Sequence, residues 1–226
     1  MIRVAGSAHR SFLFPAERPL AYTYYADIGR ALRHLPHICL AQTYGPDHLR
    51  LLYQSTELGI YRIRIFADVQ TVVEDGHVLH VQPVDNLPPI QVGSGAQSMT
   101  AQGEFASQSV FRDLGSQTEI EYTLRLQADL PKPGGLRVMP GLVVDSIARS
   151  ITHTRIREIA AGFIARSVDA FPQWLEEMRE HGTLPGPGST PVSSPPTPDC
   201  REKFPKQRDV FAPKEPTHPG PSAQPQ

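Results

Sequence analysis

The chain has 226 residues and a formal net charge of -1, so it lacks the basic field that marks a general nucleic-acid binder. No apolar run approaches the roughly 20 residues a membrane span requires, and the first ten residues hold no apolar secretory core. Apolar content is only 39%, but 12 of the 23 prolines follow Thr183, and the remainder has the composition of a domain able to bury its own core. Cys39 falls in a strand-like segment and Cys200 in the proline-rich end. That placement predicts no structural disulfide, and with it a reducing, cytoplasmic setting.

Phe12 and Phe14 alternate within 7–15, which predicts a first strand closed by Pro15. Pro19 suits the first turn of a helix, where its missing N–H costs nothing, and Leu20, Tyr24, Ile28 and Leu32 then fall four apart. Asp27 is placed to cap a second short helix, and Leu35-Pro36 closes the segment. Strands follow at 37–44, around Leu49, Leu51 and Tyr53, and at 60–73, 78–84, 98–111 and 118–128. Turn signals separate them at Gly45-Pro46-Asp47, Glu57-Leu58-Gly59, Glu74-Asp75-Gly76 and Asp113-Leu114-Gly115. In the last strand Ile120, Tyr122, Leu124 and Leu126 alternate with Glu119, Glu121, Thr123 and Arg125, so one face is buried and the other wet. Within 60–73, Tyr61, Ile63 and Ile65 share one face. Arg62, Arg64 and Asp68 share the other, which reads as solvated.

Residues 85–97 hold Pro88, Pro89, Gly93 and Gly95 and interrupt this meander with a loop long enough to gate a cavity. After an irregular link, Val144, Ile147, Ile151, Ile156, Ile159, Phe163, Val168 and Phe171 recur at helical spacing, with no breaker before Pro172. Residues 141–171 would make a rod of roughly 45 Å, which needs a sheet to lie against. The predicted architecture is one α+β domain over 1–182. A curved antiparallel β-sheet wraps around a long C-terminal α-helix, with two short helices after strand one. The remaining 183–226, rich in proline, serine and glycine, are predicted to be disordered, with Phe204 and Phe211 in a charged island that offers a docking motif for a protein partner.

This order resembles the START-like (SRPBCC, Bet v 1-like) helix-grip superfamily. The residues that carry the likeness are Pro19-Leu-Ala-Tyr-Thr-Tyr-Tyr-Ala-Asp27, then Leu32, Leu35-Pro36 and Ile38, with the 115–130 strand and the helix to Phe171 matching its close. Tyr53-Gln-Ser-Thr-Glu57-Leu-Gly59-Ile-Tyr61, Thr118-Glu-Ile-Glu-Tyr122 and Leu130-Pro131 are similar to the DUF1997 branch. The resemblance implies a fold rather than an activity. The superfamily includes lipid and sterol carriers, hormone receptors, polyketide cyclases and ring-hydroxylating oxygenase subunits.

The residues themselves favour no metal or nucleotide chemistry. His34-x-x-His37 and His77-x-x-His80 lack a third ligand at set spacing, and the odd separation of the second pair points its imidazoles to opposite faces of a strand. Gly93-Ser-Gly95 lacks the lysine of a phosphate loop, so no cofactor is expected. For acid–base work the candidates are Asp68, with Arg62 and Arg64, His80 and His153. Arg149, His153 and Arg157 fall four apart and read as the helix's wet stripe.

The inward positions are Tyr53, Tyr61, Ile63, Phe105, Ser107, Tyr122 and Leu124 from strands, with Ile151 and Phe163 from the helix. They describe either a filled core or a ligand cavity, and the phenols on that face need partners in both cases. The apolar segment 136–144, with Lys132 and Arg137 beside it, either packs beneath the sheet edge or touches a membrane surface. The expected function is binding, and with it transport or sensing, of a small hydrophobic or amphipathic ligand such as a lipid or isoprenoid. The alternatives are a cyclase or dehydratase using ionisable cavity residues, and an interaction module recruiting a partner through the tail.

Overall fold

The computed structural model describes residues 1–180 except 46, 75, 76 and 137. The expectations placed on 183–226, on Cys200 and its relation to Cys39, and on the Asp75-Gly76 turn fall outside those residues. The chain runs through β1 (Ile2–Phe14), α1 (Arg18–Ala26), α2 (Ile28–Ala31), a 3-10 turn (Leu32–His34), β2 (Ile38–Thr43), β3 (His48–Glu57), β4 (Tyr61–Glu74) and β5 (Val78–Pro83). It continues through β6 (Gly93–Ser94), β7 (Ser98–Asp113), β8 (Thr118–Leu130), a 3-10 turn (Gly134–Leu136) and α3 (Gly141–Glu180). The strands form one curved sheet in the order β1-β8-β7-β5-β4-β3-β2, with β6 beside β7, wrapped around α3. This is the α+β helix-grip arrangement.

One pairing departs from the expected antiparallel meander. β5 pairs with only the second half of β4, its last backbone contact being the Val84 N–H donating to the Asp68 carbonyl at 3.0 Å. The vacated edge of Arg62–Ala67 is taken by Ser98–Gly103 of β7, running parallel. Residues 84–97 carry the chain over to make that return.

At one end of the sheet the interior is plugged by aromatic rings. Phe14 packs on Phe171 at 4.7 Å and on Tyr24 and Tyr25 at 5.6 and 5.3 Å, and Trp174 closes on Tyr24 at 5.2 Å. The two buried phenols are satisfied by one residue of α3. Tyr24 donates to the Ser167 carbonyl at 2.8 Å, and Tyr25 shares a hydrogen bond with the Ser167 hydroxyl at 2.7 Å. Asp27 caps α2 by accepting from the Arg30 N–H at 3.0 Å.

The same plug explains why α3 does not stop at Pro172 as expected but continues to Glu180. A proline inside a helix costs about 3 kcal/mol. Burying Phe171 and Trp174 on either side of it returns roughly 1.5–3 kcal/mol each, and only the continuing helix delivers Trp174 to the core.

The outer face of the sheet holds a second correction. Asp68 is not solvated but buried, held by Arg50 through Nε at 2.6 Å and Nη2 at 2.7 Å. Arg50 also donates to the Pro88 carbonyl at 2.5 Å and lies 5.2 Å from the Tyr44 ring centre. Arg64 donates to the Thr100 hydroxyl at 3.0 Å on the same face, while Arg62 is exposed as expected.

Candidate functional site

Toward the other end the helix and sheet diverge and leave a hollow. Its volume is about 160 Å³. Aliphatic side chains make most of its wall. Leu51, Ile63, Ile65, Met99 and Leu126 come from strands, and Ile147, Ala148, Ile151 and Ile159 come from successive turns of α3. Leu58, Leu136 and Met139 stand at the mouth, between the β3–β4 hairpin tip and the link into α3.

Of the nine residues expected to line a cavity, Tyr53, Tyr61, Ile63, Phe105 and Ile151 stand on its wall. The other four lie off it, Tyr122, Leu124 and Phe163 in filled core and Ser107 half-buried. Tyr122 stacks on Phe163 at 4.7 Å, and burial pushes the Tyr122 phenol well above its ordinary range. Leu124 is fully buried in the same cluster, and Ser107 belongs to the neighbouring stretch of β7. Inward alternation identifies a face of the sheet, but it does not say where along that face the helix stops touching it.

One polar group on the wall was not singled out from the sequence. Glu57 follows Tyr53 and Ser55 on the inward side of β3 and is buried. Arg155 of α3 grips its carboxylate with two hydrogen bonds, Nε to Oε1 at 2.9 Å and Nη2 to Oε2 at 3.2 Å. Arg155 also donates to Glu158 at 2.6 Å, and His37 bonds the other Glu158 oxygen at 3.0 Å. The Glu57 hydrogen bonds hold the Arg155 guanidinium above its ordinary range, while burial pushes the nearby Tyr53 phenol up to about 12. One guanidinium thus stands between two carboxylates, and the Glu57–Arg155 pair forms a polar patch on a mostly apolar wall that also includes Glu104, Gln127 and Thr152.

The groups expected to carry acid–base chemistry lie elsewhere. Asp68 is locked to Arg50 on the outer face, His80 meets Glu74 at 3.2 Å, and His153 is exposed on α3. Residues 85–97 do not line the hollow, and Pro88 is tied to Arg50 across the outer face, so the expected gate is displaced from the mouth. Only the end of that loop approaches the mouth, where the Gly134 N–H donates to the Gly95 carbonyl at 3.4 Å. Among the described residues no group of three or more His, Cys, Asp or Glu is placed to hold a metal ion. No described helix is long and apolar enough to cross a membrane.

No family model matches the chain, and no curated protein matches it. Among solved structures it is similar to the ZhuI aromatase/cyclase from Streptomyces sp. R1128, at 10% identity and a TM-score of 0.46, over 82% of this chain and 99% of that one. It is also similar to human STARD10, at 12% identity and a TM-score of 0.44, over 84% of this chain and 75% of that one. Ara h 8.0201 aligns at 8% identity and a TM-score of 0.38, over 75% of this chain and 99% of that one. These likenesses carry no activity across to this chain.

Proposed function

We propose that this protein binds a small, largely apolar ligand, of the lipid or isoprenoid kind, between the sheet and α3. The observation that carries the reading is the hollow itself. Apolar side chains facing empty space forgo dispersion contacts that a guest would supply. Burial of the guest's apolar surface supplies the affinity at roughly 25 cal/mol per Å². Tyr53, Tyr61 and the Glu57–Arg155 pair meet its polar end. Because Arg155 is already shared by two carboxylates, a neutral hydroxyl or carbonyl suits that end better than an anion.

A cyclase-type reaction would have to run on Glu57, Arg155 or Glu104, since Asp68, His80 and His153 lie off the hollow. A carboxylate already held by a guanidinium favours binding over proton abstraction. The narrower DUF1997 kinship rests on the sequence resemblance and belongs to this proposal, as does START-like kinship. Native mass spectrometry of the purified chain is expected to show a co-purifying apolar mass. Nile red is expected to bind and to be displaced by long-chain alcohols more readily than by the matching acids. A protein that carries no guest and leaves Nile red unbound refutes the proposal.

A further inference from the structure

Large apolar side chains stand in water around the mouth of the hollow. Val138 and Leu142, in the link and first turn of α3, are 91% and 85% exposed, and Val143 beside them is 44% exposed. Across the mouth, Leu58 and Ile60 at the β3–β4 hairpin tip are 60% and 50% exposed. The two groups occupy one end of the domain. Tyr61, the first residue of β4, reaches Gly135 so closely that a Cβ there would sit 2.9 Å from its hydroxyl. Neighbours in the same segment behave differently: Leu136, Met139 and Val144 turn inward onto Ile2, Met99 and Leu130. The segment 136–144 is therefore divided, half packed beneath the sheet edge and half presented outward.

The hairpin tip adds a local cost. Leu58 adopts φ 51°, a left-handed conformation rare for a residue with a side chain, and Gly59 follows at φ 73°. This backbone keeps Leu58 at the tip with more than half of its surface in water.

Charge chooses the partner. The segment 58–64 contains Arg62 and Arg64 and no acid, and 131–144 contains Lys132 and Arg137, flanked by Asp129 and Asp145. Glu57, at the base of the hairpin, is buried against Arg155, which it shares with Glu158. At the far end of the sheet Glu74 and Asp113 are exposed at the ends of β4 and β7, with Arg112 and His80 beside them. An apolar rim that carries Arg62, Arg64 and Lys132, with Asp129 and Asp145 as the acids beside its segment, matches an anionic lipid surface.

The geometry points to this rim as a docking surface for an anionic bilayer, into which Leu58, Ile60, Val138, Leu142 and Val143 insert while Arg62 and Lys132 meet the headgroups. Docking there sets the hollow's mouth against the lipid. The inference stands on exposure and charge, independently of what the hollow holds.

The test is flotation of the full chain with vesicles of three parts phosphatidylcholine to one part phosphatidylserine, beside vesicles of phosphatidylcholine alone. The chain is expected to float with the anionic vesicles at low salt, and to lose most of that binding at high salt as the charges are screened. Val138→Asp combined with Leu142→Asp is expected to weaken partitioning about tenfold or more, and Lys132→Glu several-fold, with unchanged thermal melting and unchanged Nile red uptake. Nile red uptake separates failure of the rim from failure of the hollow. The proposal is overturned if the chain stays with the soluble fraction, or if the double variant floats like the unaltered protein. It is also overturned if Leu142→Asp instead splits a dimer in sedimentation with no vesicle binding in either form.

Discussion

Ala148 decides between a hollow and a filled core by the sign of a single measurement. It lies on the second turn of α3, on the wall of the cavity beside Ile147, Ile151 and Thr152. Thr152 spends its hydroxyl on the Ala148 carbonyl at 2.7 Å, so the variant disturbs no other polar contact there. Ala148→Leu adds three carbons, and at about 0.8 kcal/mol per buried carbon they would contribute roughly 2 kcal/mol. Side-chain ordering takes back about 0.5–1 kcal/mol, and the small difference in helix propensity takes little more. Filling empty space therefore stabilises the domain by about 1–2 kcal/mol. For a domain of this size that raises the melting temperature by roughly 2–8 °C. The same leucine occupies room a guest would use, so Nile red affinity is expected to fall. Urea unfolding and a dye titration on the same sample read both effects. A variant that loses about 1–3 kcal/mol, as an overpacked core does, and binds dye as before refutes the reasoning.

Three further outcomes follow from the contacts. Gly162→Ala should destabilise in thermal unfolding although helix propensity alone favours alanine by about 1 kcal/mol, because the new Cβ would lie 2.5 Å from the rigid Pro36 ring. Asp68→Ala should cost about 3–5 kcal/mol in urea unfolding by leaving Arg50 buried without its partner, whereas Arg50→Met with Asp68→Leu should cost far less. The Glu158 carboxyl is held below its ordinary 4.5, first by the His37 hydrogen bond and then by Arg155. Its folded value being the lower one, its contribution is full above 4.5 and is lost as pH falls through the folded value; Glu158→Gln should remove that part of the acid-side slope of stability against pH.

The strands and α3 were legible because their apolar residues keep strict periods. Ile120 to Leu126 alternate without a break, and the α3 stripe holds from Val144 to Phe171. Asp27 was legible as a cap for the same local reason. What local pattern does not carry is pairing at a distance. The parallel match of β4 with β7 depends on where β5 ends, and the burial of Asp68 depends on Arg50 one strand away and Pro88 in a loop. The hollow was half legible: Tyr122 and Phe163 share a face with Tyr61 and Ile151 but lie where helix and sheet meet ring on ring. Glu57 and Arg155 left a signal that went unread. Glu57 has the parity of Tyr53 on a strand whose odd positions turn inward, and Arg155 falls four residues after Ile151 and four before Ile159. A charge on each of two buried faces calls for a partner, and each is the other's.

The interior is built unevenly from end to end. Interlocked rings join Phe14, Tyr24, Phe171 and Trp174 at one pole, whereas aliphatic chains around a void line the other. Amide protons near Ile2, Leu130 and the first turns of α3 should accordingly exchange with deuterium through small openings that spare the ring-bound pole. A molecule trapped inside would then come and go by a partial loosening of that pole, at a fraction of the work of unravelling the whole domain.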